Sequence, residues 1–289
     1  MNRVQVWMCA FRPKTFVISI SPVVIGASVA IGQGVFDPVL FLLTLLTALA
    51  IQIGTNLAND YFDFVKGADT HERKGFMRVT QAGLVAPNKM KKIMIAVFCI
   101  AAICGTYLIW KGGAPLAFLL ALSIAFGVLY SGGPFPLSYL GLGEIFAFLF
   151  FGPIAVVGTH FLQTGTISSE ACIAGLSPGA FSMAFLVINN VRDIEEDRVC
   201  GKRTLAVRFG KIFGKSLFLF SILLSLLPVV FFYPSHPFLL LTLLVLFLAI
   251  PLLRTMFSYQ DPRLLNQLFA KTGRLQWIFT LLFCMGWLL

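Results

Sequence analysis

Two short stretches, Asn56-Leu-Ala-Asn59-Asp60-Tyr-Phe-Asp63-Phe-Val-Lys66-Gly-Ala-Asp69 and Asn189-Asn190-Val-Arg192-Asp193-Ile-Glu195-Glu196-Asp197-Arg198, hold seven of the twelve acidic residues of the chain. On a helix Asn56, Asn59, Asp60 and Asp63 fall at i, i+3, i+4 and i+7, and Asn190, Asp193 and Asp197 repeat much of that spacing, so each stretch points an oxygen-rich stripe one way. Carboxylates gathered in this manner repel one another unless a cation sits between them. Oxygen donors without His or Cys select hard ions, Mg²⁺ or else Mn²⁺, and Mg²⁺ tends to share its coordination shell with a substrate phosphate. The chemistry these residues predict is that of a metal-bound diphosphate.

Such a site needs ligands, counter-charges and a dry cavity. The candidate ligands are Asn59, Asp63 and Asp69 in the first stretch and Asp193 and Asp197 in the second. Asp60, beside Asn59, joins the catalytic set either as a ligand or as a support. Lys66, Arg73, Arg78, Arg192, Lys202 and Arg203 are the candidate partners of diphosphate oxygens. All of these groups act on charge that grows as a leaving group departs. Glu195 and Glu196 are expected to include a solvated partner of Arg198 or Arg192. A salt-bridged helix end would explain an isolated pair such as Glu72 and Arg73, but not two matched clusters. The histidines contribute little: His160 and His236 are expected at a membrane interface, and His71 is a weak candidate for proton transfer.

The elements that must position these groups are membrane helices. Of 289 residues, 58% are apolar and 12% charged, far from the soluble average. Apolar runs long enough to cross a ~30 Å hydrocarbon core fall at about 16–33, 38–58, 93–110, 114–130, 144–162, 171–191, 216–233, 237–257 and 273–289. With nine spans, all but one of the 22 basic residues lie on one side, the exception being Lys111. The bias of Lys and Arg toward cytoplasmic loops then places the N-terminus and both acidic stretches in the cytoplasm of a cell-membrane protein, with the C-terminus outside. Arg12-Pro13-Lys14 leads into a span of full length with no evident cleavage site, so the first helix is expected to be retained. The net charge of +10 does not imply nucleic acid, because the bases flank spans and mix with acids; the lipid bilayer and phosphates are the better partners. Six dispersed cysteines read as small buried hydrophobes.

The second and sixth spans each run into an Asn/Asp stretch and then a basic loop. This predicts an all-α, single-domain integral membrane protein over 1–289, with two four-helix repeats around a central cavity. The halves divide near 1–143 and 144–258, and a ninth helix follows at about 273–289. The uncharged loop 131–143, rich in Gly and Pro, serves either as a tight connection or as one wall of a pocket for a flat ring. The candidate ring-pocket residues are Asn56, Asn190, Tyr130 and Tyr139. A reading from another class is a cation transporter or channel with the acids along its path. Against it stand the basic residues among the acids and the lack of a matching acidic constriction on the far side.

Asn59-x-x-x-Asp63 with the later Asp69, and Asp193-x-x-x-Asp197, resemble the hallmark motifs of the UbiA superfamily of membrane prenyltransferases. Five residues rather than three separate Asp63 from Asp69, an insertion shared by the branch that prenylates 1,4-dihydroxy-2-naphthoate for menaquinone synthesis. The likeness to that branch continues at Arg78-Val-Thr-Gln-Ala-Gly-Leu84, Tyr130-Ser-Gly-Gly-Pro134, Gly141-Leu-Gly-Glu144 and from Asn189 through Gly201-Lys202-Arg203-Thr-Leu-Ala-Val207. The resemblance implies an Mg²⁺-dependent transferase. Its substrates would be a polyprenyl diphosphate, with the chain in a tunnel lined by transmembrane helices, and a dihydroxynaphthoate that is prenylated with loss of carbon dioxide. Sibling acceptors within the superfamily are 4-hydroxybenzoate, homogentisate and 1,4-dihydroxy-6-naphthoate. Thirty Phe residues suit a tunnel that shields a carbocation without offering it a nucleophile.

Overall fold

The computed structural model describes residues 1–68 and 74–289, and every regular element within them is helical. Helix α1 (Arg3–Phe11) starts at an Asn2 and Gln5 capping box. It stops at Arg12, whose left-handed backbone (φ 55°) turns the chain into the short 3₁₀ turn Pro13–Thr15. Helix α2 (Phe16–Gly32) then enters the bundle. Asp37 caps the next helix, α3 (Pro38–Val65), through the amides of Val39 and Leu40, and Pro38 occupies a first-turn position that needs no amide donor. The 28 residues of α3 carry the whole first motif up to Asp63 on one continuous helix.

The helical run α4 (Pro87–Leu129) has 43 residues, about 65 Å if straight and twice what a bilayer core needs. It is not straight. Gly113 adopts φ 68°, ψ −159°, and Gly105 lies directly against the side chain of Leu120, which a straight helix would hold about 22 Å away. The run is therefore a helical hairpin with Lys111 near its tip. That tip lies at the N-terminal end of α3, where Leu40, Leu108, Leu116 and Leu162 pack together, so Lys111 sits at the end of the bundle opposite both motifs.

The short α5 (Leu137–Leu140) lies in the loop before the second half. Helices α6 (Gly143–Leu149) and α7 (Ala155–Thr164) form one crossing through a π-helical turn, Phe150–Ile154, where Pro153 removes a backbone donor. Next come α8 (Ser169–Ala174), α9 (Leu176–Arg192), α10 (Ile194–Val199), α11 (Leu205–Leu224), α12 (Leu227–Phe232), α13 (Leu244–Ser258, extending a 3₁₀ stretch Pro237–Leu243) and α14 (Leu265–Leu288). Seven helical stretches among the described residues are long and apolar enough to cross a membrane. Dividing α4 at Gly113 and adding the 24 residues of α14 is consistent with nine crossings. Large apolar side chains such as Ile103, Trp110, Ile212 and Phe247 face outward, more than 70% exposed, as suits a lipid-covered surface.

The centre of the bundle is α9, buried nearly all round and packed on α6, α11 and α14. Glycines make this possible: a Cβ on Gly179 would stand 2.5 Å from the carbonyl oxygen of Phe148, and one on Gly175 2.5 Å from Cα of Pro153. The backbones of α9 and the π-helical turn therefore touch, as small residues allow in membrane helices.

Three expectations need correction. The third crossing begins at Pro87, earlier than 93, and the seventh reaches back to Lys211, earlier than 216, just after Gly210 (φ 87°, ψ 173°) breaks the run that starts at Leu205. Lys89, Lys91, Lys211 and Lys215 continue these helices because their cationic heads reach outward along apolar stems. The second motif is not one continuous stripe, since α9 ends at Arg192 and Asp193 (φ −97°, ψ 13°) bends the chain into α10. His160 does not present its ring at the surface as an interfacial residue would: near the end of α7 it is fully buried, its ring nitrogens 3.0 Å from Gln33 Oε1 and 3.2 Å from Thr166 O. His236 stacks on Trp287 at 4.2 Å.

Gly179→Val should lower stability by about 1–3 kcal/mol, the range of an overpacked core, because the side chain would meet backbone that cannot swing away. Gly165→Ala, with open space around its Cβ but φ 74°, should cost no more than about 1–2 kcal/mol. Thermal unfolding of detergent-purified variants measures both.

Candidate active site

A cavity of about 320 Å³ opens among α2, α3, the second arm of α4, α6, the π-helical turn and α9, beneath the loop after Tyr130. Its two ends differ in chemistry. Asn59, Asp63, Arg78, Arg192, Asp193, Asp197 and Lys202 line one end, and Ile18, Ile51, Phe126, Phe146, Phe150 and Phe151 line the other. The last two turns of α3 and the α9–α10 bend thus bring both motifs to one mouth.

Asp63 is buried at that mouth. Its Oδ2 accepts from Arg78 Nη2 at 2.9 Å and lies 3.5 Å from Lys202 Nζ, whereas its buried Oδ1 has no hydrogen-bond partner among the described residues. Asn59 Oδ1 accepts from Ser131 Oγ at 2.7 Å. Across the cavity Arg192 clasps Asp193 with two bonds, Nε to Oδ1 at 2.6 Å and Nη2 to Oδ2 at 2.7 Å, and gives Nη1 to Asn266 Oδ1 on α14 at 2.8 Å. The amide of Asp197 donates to the Asp193 carbonyl, and its own carbonyl accepts from the Lys202 amide. This closes the turn that carries Lys202 back to Asp63.

Asp60 departs from its expected catalytic place. It does not line the cavity; its Oδ2 and Oδ1 accept the backbone amides of Val79 and Thr80, each at 3.0 Å. Its chemistry is structural, since it fixes the loop that delivers Arg78 to Asp63. Lys66 is also outside the cavity lining, donating to the carbonyls of Ser131 at 2.7 Å and Gly133 at 3.3 Å. Desolvation lowers its pKa from the ordinary lysine value, against the pull of Asp63 and with the push of Lys202. Arg203 is exposed and outside the lining as well, its amide bonded to the Tyr139 carbonyl. Asp69, His71, Glu72 and Arg73 lie outside the described residues. Glu195 pairs with exposed Arg198 at 3.0 Å, and Glu196 accepts from the Lys74 amide.

The ring-pocket candidates divide. Asn56, Asn190 and Tyr130 line the cavity, while Tyr139 does not and instead lies under the Lys66 and Lys202 ammonium groups at 5.1 and 5.6 Å. Several lining residues escaped notice in the sequence, among them Thr15, Ser19 and Gln52, while Asn189, part of the second motif, was given no role there. Gln52 was findable, because it stands four residues before Asn56 on the same helical stripe; it accepts from Ser19 Oγ and donates to Thr15 Oγ1. Glu144, 2% exposed at the start of α6, accepts from Asn190 Nδ2 at 2.7 Å; a carboxylate at membrane depth was its signal.

No group of three or more His, Cys, Asp or Glu that could hold an ion is assembled among the described residues, since Asp63 and Asp193 are held by basic side chains. The donor types nevertheless suit a hard cation: four oxygen-bearing side chains, Asn59, Asp63, Asp193 and Asp197, share the cavity, and the unpartnered Asp63 Oδ1 is a lone-pair donor ready for one.

Residues 19–288 match the model of the UbiA prenyltransferase family. The chain belongs to that family. It is 38% identical to 1,4-dihydroxy-2-naphthoate octaprenyltransferase of Escherichia coli K12 over 73% of this chain and 71% of that one. It is 33% identical to the protein of the same name from Haemophilus influenzae, over 100% and 97% of the two chains. A UbiA homologue of Archaeoglobus fulgidus, solved bound to GPP and Mg²⁺, shares the fold with a TM-score of 0.65 at 15% identity, over 98% of this chain and 99% of that one. Membership in the family makes this multi-span membrane protein a prenyltransferase.

Asp60→Ala should leave the Val79 and Thr80 amides without partners, at about 1–3 kcal/mol for each buried donor. The expected result is a lower unfolding temperature in detergent. Activity should be lost with heating rather than at low temperature.

Proposed function

We propose that the protein transfers a polyprenyl group from polyprenyl diphosphate to 1,4-dihydroxy-2-naphthoate, with loss of carbon dioxide, giving a demethylmenaquinol for menaquinone synthesis. The observation that carries the reaction type is the two-ended cavity, which sets Arg78, Arg192 and Lys202 beside carboxylates at a mouth that continues into a phenylalanine-lined interior. The naphthoate acceptor is supported by the relatives of that name at 38% and 33% identity.

Arg78 and Lys202, both turned toward Asp63, are placed to bind diphosphate oxygens and to stabilise the charge they gain as the allylic C–O bond breaks with its electron pair leaving on oxygen. Arg192 does the same from the opposite wall. Asn59, Asp63, Asp193 and Asp197, with Asp69 beyond the described residues, are the proposed ligands of a divalent ion, Mg²⁺ or Mn²⁺. When bound, such an ion supplies positive charge against the leaving group. Phe126, Phe146 and Phe150 form a mutually packed cluster, with ring centroids 4.8 to 6.1 Å apart, that excludes water from the allylic cation and faces it with π-density. The ring carbon bearing the carboxylate donates its electron pair to the cation; the bond to the carboxylate then breaks, carbon dioxide leaves and its electron pair restores aromaticity.

Lys66 completes the basic rim; solvent-exposed Arg203, and Arg73, which lies outside the described residues, are further candidate partners of the diphosphate, and Tyr130 and Tyr139 flank the acceptor entrance. The two motifs belong to four-helix halves, about 1–143 and 144–258, with the ninth helix from about 273. The motif end faces the cytoplasm, the side favoured by the basic residues.

Purified protein in detergent, given polyprenyl diphosphate and 1,4-dihydroxy-2-naphthoate, should form decarboxylated product by mass spectrometry and stop in excess EDTA. Asp63→Asn and Asp193→Asn should each lower turnover roughly 100-fold or more. Arg78→Ala and Lys202→Ala should raise the KM for the diphosphate more than that for the acid. Full activity in EDTA, or prenylation of 4-hydroxybenzoate in preference to the naphthoate, would overturn this reading.

A further inference from the structure

Two asparagines on opposite walls of the cavity share an unusual feature: each has its amide nitrogen tied back into the scaffold. Asn56 Nδ2 donates to the Phe11 carbonyl at 3.0 Å and to Thr15 Oγ1 at 3.1 Å. The Phe11 carbonyl is available because the left-handed Arg12 ends α1 there. Asn190 Nδ2 donates to Glu144 Oε1 at 2.7 Å. An amide can be turned either way in principle, but the Phe11 backbone carbonyl accepts only, which fixes Asn56, and at Asn190 it is the amide nitrogen that lies against Glu144 Oε1. In each case Oδ1 remains as an acceptor without a hydrogen-bond partner among the described residues, on a side chain that lines the cavity.

Both asparagines are at least 91% buried, so their acceptors are offered to whatever fills the cavity, and a ligand that covers them without donating a hydrogen costs free energy. An aromatic ring with two hydroxyl groups supplies two O–H donors. The oxidised ring, a quinone, supplies only acceptors and would leave four carbonyl oxygens facing one another in pairs. We propose that Asn56 and Asn190 read the redox state of the aromatic acceptor, taking one hydroxyl hydrogen each and rejecting the quinone. Glu144 is a positioning residue that acts through Asn190. This inference rests on the dihydroxynaphthoate reading and specifies how that ring is held. It also bears on reactivity: a hydroxyl hydrogen held by Oδ1 leaves more electron density on oxygen, and resonance delivers it to the ring carbon that attacks.

The mechanism follows a general asymmetry: a buried site built to hydrogen-bond a hydroxyl discriminates strongly against a ligand that lacks it. Glu144→Gln tests the positioning claim in a way a structural role would not mimic. The glutamine amide can donate to Asn190 Oδ1, turning Nδ2 toward the cavity and converting an acceptor into a donor at nearly constant shape.

The experiment measures, in detergent, the KM for the dihydroxynaphthoate, the inhibition constant of the matching quinone, 1,4-naphthoquinone-2-carboxylate, and the KM for polyprenyl diphosphate. Asn56→Leu and Asn190→Leu should each raise the KM for the dihydroxy ring by about tenfold or more, the loss of roughly one hydrogen bond to a buried partner. Quinone inhibition should stay constant or strengthen, and the diphosphate KM should hold within about twofold. Glu144→Gln should raise the dihydroxy KM and strengthen quinone inhibition together. If either leucine variant fails to fold, the other, on a separate helix, carries the test. Equal loss of both rings, or an unmoved dihydroxy KM, would overturn the proposal. If the wild type forms no product from dihydroxynaphthoate, the functional reading fails instead. The two rings compared as inhibitors of 4-hydroxybenzoate prenylation then decide the asparagine claim by the same criterion.

Discussion

Buried carboxylates must be matched by positive charge or by hydrogen-bond donors, and the ion pairing that achieves this at Asp63 ties together segments far apart in the chain. Asp63 on α3 meets Arg78 from the loop before α4 and Lys202 from the loop before α11. Asp193 is clasped by Arg192, which reaches on to Asn266 of α14, and Asn266 in turn donates to the carbonyl of Lys74. Loops that would otherwise wander at a membrane surface are thereby pulled over the cavity. Removing one member of such a set leaves a charge buried without compensation, a penalty larger than the worth of the pair itself. The architecture at the mouth thus follows from charge balance, while glycine contacts along α9 set how closely the helices beneath can approach.

Much of this was legible in the sequence because membrane helices write their constraints plainly. Apolar runs and the asymmetry of basic residues mark crossings, and α3 keeps Asn56, Asn59 and Asp63 on one face because nothing in that segment interrupts it. What was not legible has a common physical cause, the direction of side chains. Asp60 is one position from Asn59, about 100° around the helix, and this turns it from the cavity to the amides of Val79 and Thr80. Spacing alone also cannot show that the chain bends at Asp193, since the hydrogen bonds from Asp193 to Asn189 and from Asp197 to Asp193 keep a helical rhythm through the bend. Arg203 was drawn into the basic set by its neighbour, yet its backbone bond to Tyr139 leaves its side chain in solvent.

Hydrogen-bond accounting adds a layer that residue type does not carry. Gln52, Thr15, Ser19 and Asn56 look like scattered polar residues in apolar spans. Together they form a connected set in which Thr15 Oγ1 accepts from both amides. Such networks rigidify a polar wall when every member is satisfied. Here the set orients Asn56 by its amide nitrogen and leaves Oδ1 without a partner among the described residues.

The balance of charge at the mouth also separates an enzyme for anionic substrates from a path for cations. Among the described lining residues, three carboxylates, Asp63, Asp193 and Asp197, stand against four bases, Arg12, Arg78, Arg192 and Lys202. A lining with more bases than acids draws anions and repels a bare cation. A cation path would also need polar groups through the far half of the bundle. There the cavity is continued by a second, smaller one whose residues, Leu108, Leu116, Leu119, Leu120 and Leu162 among them, are mostly apolar. A charge leaving the mouth in that direction would lose its solvation with little in return. An isoprenoid chain would lose nothing, so the molecule favours an amphipathic anion with its head among the bases and its tail among the helices.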